Sequence, residues 1–264
     1  MAVQKRCQQK HSIKASYYDR FCPVNAMSKP QMDKGKLYIE TRFCGVEIQL
    51  YADGSLYLPD SGLLVISDLH LEKGQAQSLA APLPGFDTDA SLAKLSAAIE
   101  RIKAKEVIFL GDSFHTNQQA FQLPEIYQKQ LRKLAKDRAF IWITGNHDSE
   151  LPDFLPGRVL PNTTAAGLYF THQIGADEAK ISGLICGHYH PKARLSLQLR
   201  RLSGRCFIQD ESRMILPAFG VFTGGLNILD PAIQNLLGKT QQAHFCHAGR
   251  IYTFPVDRKV FLKR

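Results

Sequence analysis

The chain has 264 residues, 44% hydrophobic and 22% charged, a globular composition with enough length to bury one substantial core. No apolar run approaches the roughly 18 residues that a membrane span requires, and no apolar segment follows the basic N-terminus, so a soluble, non-membrane protein is expected. The six cysteines form no C-x-x-C pair, which argues against a disulfide framework or zinc ribbon and for a reducing, cytoplasmic setting.

The net charge of +9 permits a polyanionic partner without establishing one. Residues 1–34 hold seven Lys/Arg against two Asp, so more than half of the excess belongs to the tail. Residues 1–31 are polar, basic and without periodicity, and are expected to form a disordered extension, with Met27 or Met32 as an alternative translation start. Residues 32–264 are expected to form one domain.

Short alternating runs at 37–41, 46–50 and 55–58, separated by Gly and Asp-Gly turns, predict the antiparallel edge of a sheet. Fully apolar runs at 63–66, 107–110, 140–143, 168–170 and 184–186 predict buried strands. Between the first two, Leu92, Leu95, Ile99 and Ile102 mark an amphipathic helix capped by Asp87 or Thr88. Between the next two, Ile126, Leu131 and Leu134 mark a second helix after Pro124. This alternation predicts an α/β core, followed by short strands at 205–209, 213–216 and 251–254.

Each apolar run ends in polar residues of one chemical kind. They are Asp68 and His70 in SDLH, Asp112 and His115 in GDSFH, Asn146, His147 and Asp148 in GNHD, His172 in TH, and His188 and His190 in GHYH. Six of the nine histidines fall there, and the carboxyl ends of neighbouring strands in an α/β sheet open on a common crevice. Carboxylate, imidazole and amide donors without thiolate suit Mn2+, Fe, Zn2+ or Mg2+, and seven such groups exceed what one ion uses. Two divalent ions are therefore expected, with Asp112 as the bridging carboxylate. At the roughly 3.5–4 Å separation of such pairs, a hydroxide can be generated between the ions. Gly111, Gly145 and Gly187 precede ligands, where a small residue would permit a tight turn and close approach of a phosphate to the backbone.

The ordered set D-x-H, G-D, G-N-H-D, H, G-H-x-H, from Asp68 to His190, resembles the calcineurin-like metallophosphoesterase superfamily. The resemblance implies a two-metal phosphoesterase on a four-layer α/β/β/α sandwich, two mixed β-sheets flanked by helices. Carried over by position, one ion takes Asp68, His70, Asp112 and His190, and the other Asp112, Asn146, His172 and His188. His147 would stabilise transition-state charge or protonate the leaving oxygen.

GDSFH has His115 where the superfamily's phosphoprotein phosphatases have Asp, and is similar to the GDLFH of its double-strand-break repair nucleases. DLHLEKG (68–74) and LPAFGVFTGGLN (216–227) resemble the bacterial ligase-associated DNA damage response endonucleases, which are manganese-dependent. That resemblance implies DNA as substrate, Mn2+ as activator, and an ATP-dependent DNA ligase and a helicase as partners. A small-molecule phosphatase or nucleotide phosphodiesterase is the alternative.

The remaining signals are weaker. His115 either orients His147 or touches substrate, and Asp148 braces its turn. Glu72 and Lys73 either shape the site or form a surface ion pair. The basic residues of 129–138 occupy a solvated helix face, whereas Arg200, Arg201 and Arg205 are the better candidates for phosphate contacts. Residues 219–227 form either a substrate wall or an ordinary hairpin. His11, His244 and His247 belong to no motif.

Overall fold

The computed structural model describes residues 35–76, 86–197, 200–256 and 261. The chain divides into two units, Met1–Gln31 and Met32–Arg264. The first unit, including the expected basic extension, lies outside the described residues.

The first sheet begins as an antiparallel meander of β1 (Tyr38–Phe43), β2 (Val46–Tyr51), β3 (Leu56–Leu58) and β4 (Leu63–Ile66). A short helix α1 (Lys73–Ala76) and the long α2 (Phe86–Ile102) then return the chain to β5 (Glu106–Leu110), parallel to β4. Helices α3 (Asn117–Phe121) and α4 (Glu125–Ala135) lead to β6 (Ala139–Ile143), and β7 (Arg158–Leu160) closes the sheet, both in parallel register.

The second sheet takes β8 (Asn162–Ala165), β9 (Leu168–Thr171) and β10 (Leu184–Cys186), then the hairpin β11 (Lys192–Leu197) and β12 (Arg200–Gln209). It continues with β13 (Arg213–Ile215), the short helix α5 (Pro231–Gln234), β14 (Gln242–His247) and β15 (Arg250–Pro255). Its order is β15-β14-β12-β13-β10-β9-β8, with β11 paired to β12. Parallel pairing of β10 with β9 and β13 makes this sheet mixed as well.

Strand alternation explains the layering. In β4, Leu63 and Val65 enter one core while Leu64 and Ile66 enter another, because successive side chains point to opposite faces. The first core lies between the sheets, where Val65, Ile108 and Ile141 meet Phe170, Ile185, Phe207 and Met214. In the second, Leu64, Phe109 and Trp142 pack under Leu92, Leu95 and Ile99 of α2 and Tyr127 and Leu131 of α4. At about 25 cal/mol per Å2 of apolar area, each fully buried Leu or Phe contributes about 2 kcal/mol, so these layers dominate the fold's stability.

The two mixed sheets flanked by few helices match the expected sandwich; among the described residues, Ile228, Leu229, Ile233 and Leu237, on loop and on α5, cover the outer face of the second sheet. Two expectations are corrected. Ile126 is 62% exposed, and Tyr127, four residues before Leu131, occupies its place on the buried face of α4. Helix α2 starts before Asp87 and Thr88, whose side chains turn to the 72–74 segment: Asp87 accepts the N–H of Gly74 and Thr88 donates to Glu72.

Candidate metal centre

Strands β4, β5, β6, β9 and β10 all end at one rim, and the polar groups of the following loops meet there. Asp68 is almost fully buried. Its Oδ2 accepts from the Ser67 hydroxyl and, at 3.1 Å, from the backbone N–H of His188. Its Oδ1 faces His190 Nε2 at 3.0 Å and His172 Nδ1 at 3.9 Å. His190 Nε2 in turn lies 3.3 Å from His70 Nε2.

Asp112 divides its oxygens between two tasks. Oδ1 accepts the backbone N–H of His147 at 2.9 Å, whereas Oδ2 lies 3.3 Å from His172 Nε2 and 4.0 Å from His70 Nε2. His172 Nε2 also sits 3.1 Å from Asn146 Oδ1 and 3.2 Å from His188 Nδ1. Three donor groups result: Asp68–His70–Asp112–His190 and Asp112–His172–His188, which share Asp112, and His70–His115–His147, which shares His70 with the first.

This arrangement fits cations. A carbonyl only accepts, so the Leu110 oxygen 3.0 Å from His172 Nδ1 requires N–H there and leaves Nε2 aimed at Asp112 and Asn146. Burial alone would lower the His172 pKa, yet Asp112 and Asp68 raise it to about 9, so the position draws positive charge. Burial likewise opposes ionisation of the two aspartates, but the neighbouring imidazoles prevail and hold Asp68 below its ordinary value and Asp112 at about 2. His70 moves the other way, to about 3, chiefly because it is buried, and is therefore a neutral imidazole available as a donor. Buried carboxylates facing imidazole nitrogens are a donor set for divalent metals of intermediate hardness.

The backbone carries an independent mark of function. Asp68, His70, Asp112, His188 and His190 all adopt left-handed φ, between 45° and 67°. Non-glycine residues held there cost of order 1 kcal/mol or more each and concentrate at functional sites. Glu72 shares the conformation, at 65°, with its carboxylate turned inward to Thr88, so it braces the loop rather than forming a surface ion pair.

Gly111 takes a left-handed turn, at φ 75°, as expected. A side chain at Gly111 would strike the His172 ring, at Gly145 the Asp112 carboxylate, and at Gly187 Ser67 and Asp68, so these glycines also make room for candidate ligand side chains.

His147 and His115 lie beside these groups. His147 is exposed, and its Nδ1 donates to the backbone carbonyl of His115 at 2.9 Å, which leaves Nε2 as the free nitrogen. The two rings stack with centroids 5.3 Å apart. The main chain of His115 thus orients His147, and its imidazole, half-buried and pushed to lower pKa by burial, stays available.

Arg205 is not free to meet phosphate. It donates to the carbonyls of Phe219 and Gly220, and Lys94 shares the Phe219 carbonyl at 2.7 Å. Arg201 is exposed, and the Arg200 side chain lies outside the described residues. On α4, Lys129 pairs with Glu125 on the solvated face.

The calcineurin-like phosphoesterase family profile matches residues 62–172, the stretch from β4 to the end of β9. No curated protein matches the sequence. Among solved structures, nuclease MPE of Pseudomonas putida is 27% identical with a TM-score of 0.62, over 82% of this chain and 100% of that one. YfcE, a phosphoesterase from E. coli, is 16% identical with a TM-score of 0.38, over 74% of this chain and 99% of that one. No described helix is long and apolar enough to cross a membrane.

Proposed function

We propose that the chain is a calcineurin-like metallophosphoesterase, a metal-dependent enzyme, and that it hydrolyses phosphodiester bonds in DNA. The observation that carries the reading is the Asp112 carboxylate, shared by two clusters of metal-type donors with His147 beside them. One divalent ion would be held by Asp68, His70, Asp112 and His190, and a second by Asp112, Asn146, His172 and His188. Bound there, the pair would supply an acidified water and neutralise phosphoryl charge.

The chain's own groups do the rest. His147, with Nδ1 held by the His115 carbonyl, directs Nε2 outward to stabilise developing charge or to give a proton to the leaving oxygen. The His115 imidazole stands next to it as a substrate contact. The DNA part of the proposal is supported by the similarity to a nuclease and by GDSFH in place of the phosphoprotein phosphatase pattern. Mn2+ is the proposed activator, and DNA repair in the cytoplasm, beside an ATP-dependent ligase and a helicase, is the setting that the sequence resemblance extends to it.

The test is a metal-by-substrate screen of the purified chain. Mn2+-dependent cleavage of single-stranded, nicked or duplex DNA is expected. Hydrolysis of bis-p-nitrophenyl phosphate with all three DNAs intact would refute the DNA reading. Faster turnover of cyclic nucleotides or monoesters would place the enzyme among small-molecule phosphoesterases.

A further inference from the structure

Residues 219–227 bridge two of the loops that carry the candidate ligands. At one foot, the Phe219 N–H donates to Ser67 O at 2.7 Å and the Gly220 N–H to Asp68 O at 3.1 Å. At the other, the Leu226 N–H donates to Tyr189 O at 3.3 Å, and Gly225 lies so close to the His190 carbonyl that any side chain there would collide with it. Asp68 and His190 are members of one donor group, so both feet stand on the backbone of the same proposed ion site.

The bridge is fastened along its length. Lys94 and Arg205 hold the Phe219 and Gly220 carbonyls, the Thr223 hydroxyl donates to Gly220 O at 3.1 Å, and Lys192 Nζ donates to Thr223 O at 3.1 Å. Between these ties the Phe222 ring is 67% exposed, while Phe219, three residues earlier, is fully buried. Phe222 is two residues from Gly220, so its backbone lies within about 7 Å of chain from the tie to Asp68. An ammonium, that of Lys192, is bonded to the residue next to it. An exposed aromatic ring with an ammonium bonded to the next residue is chemistry that can take a nucleotide, base on ring and phosphate near the charge.

We propose that Phe222 is a specificity-determining residue that stacks on a nucleobase flanking the scissile phosphate, with Lys192 beside the adjoining phosphate. The inference rests on the DNA reading and deepens it. The base must present one open face, so it leaves the stack on that side. Loss of one base–aromatic stack weakens binding by roughly tenfold or more.

The experiment compares wild type, Phe222→Ala and Phe222→Trp on a single-stranded oligonucleotide and on the same oligonucleotide with abasic residues at the cleavage region, with Mn2+. Affinity is read separately by fluorescence anisotropy of the labelled oligonucleotide in Ca2+. Phe222→Ala is expected to raise KM and Kd about tenfold on the intact oligonucleotide, and Phe222→Trp to restore both. On the abasic oligonucleotide the alanine variant and wild type should be alike. Wild-type KM and Kd in Phe222→Ala, or an undiminished penalty on the abasic strand, would overturn the stacking role while leaving DNA cleavage intact. A wild-type enzyme that cleaves no DNA would overturn the function reading, and the stack with it.

Discussion

Asp148 accepts the backbone N–H of Asp112 at 3.1 Å, so one buried carboxylate sets the position of another. The same Asp148 oxygen accepts the Gly145 N–H at 2.9 Å, and its partner oxygen accepts the Phe114 N–H at 3.0 Å. Three donors from two loops thus close on a side chain with no exposure to solvent. Asp148→Ala leaves them buried and unpaired, at a cost of about 3 kcal/mol or more. Thermal denaturation should show a markedly lower Tm, and bound manganese should fall because Asp112 loses its register. Unchanged melting and unchanged metal content would remove Asp148 from this role.

His188 and His190 are two residues apart yet belong to different donor groups, His188 with His172 and His190 with Asp68 and His70. If each group holds an ion, His188→Ala and His190→Ala should each lower the bound metal from two equivalents towards one. Asp112→Ala should lower it further, since that carboxylate is common to both. Metal analysis after dialysis against Mn2+ decides the matter. Retention of both ions in both histidine variants would sink the assignment.

His147 touches the site through its own ring, whereas the bond that orients it comes from the main chain of His115. His147→Ala is expected to keep its metal and lose roughly 100-fold or more in kcat, the range typical of a lost proton donor. The loss should be larger on DNA, whose leaving alkoxide needs a proton, than on bis-p-nitrophenyl phosphate. His115→Ala preserves the carbonyl and should cost less, within about tenfold. Equal losses for the two variants, or a metal-depleted His147→Ala, would contradict this division of roles.

The legible part of the molecule was the part written in apolar runs. Strands β4, β5, β6 and β10 are buried on both faces, so each reads as an unbroken hydrophobic segment followed by its polar cluster. Strand β8 reads Asn-Thr-Thr-Ala, with no apolar or alternating pattern to betray it, and β14 alternates only over Gln242–Phe245 before Cys246 breaks the period. Ile126 has the hydrophobicity of a core residue but not the angle: on a helix, 127 and not 126 shares a face with 131. The left-handed backbone at five candidate ligands, the grip of the His115 carbonyl on His147, and the bridging course of residues 219–227 are long-range consequences of packing. No local sequence pattern encodes them.

His244, far in motif terms from the metal groups, gives a stability test independent of them. It is almost fully buried on β14, with Nδ1 2.9 Å from the Thr253 hydroxyl and Nε2 without a partner. Burial lowers its pKa to about 4, against about 6.5 in the unfolded chain. Between those values the unfolded state binds the extra proton, so stability should be full above pH 6.5 and fall as pH drops towards 4. The difference corresponds to about 3 kcal/mol at the acid end. His244→Gln, which keeps an amide near Thr253 but cannot charge, should flatten this limb in urea melts taken from pH 7 to pH 4, after the same scan on wild type. An identical slope in both proteins would show that His244 does not govern the acid limb.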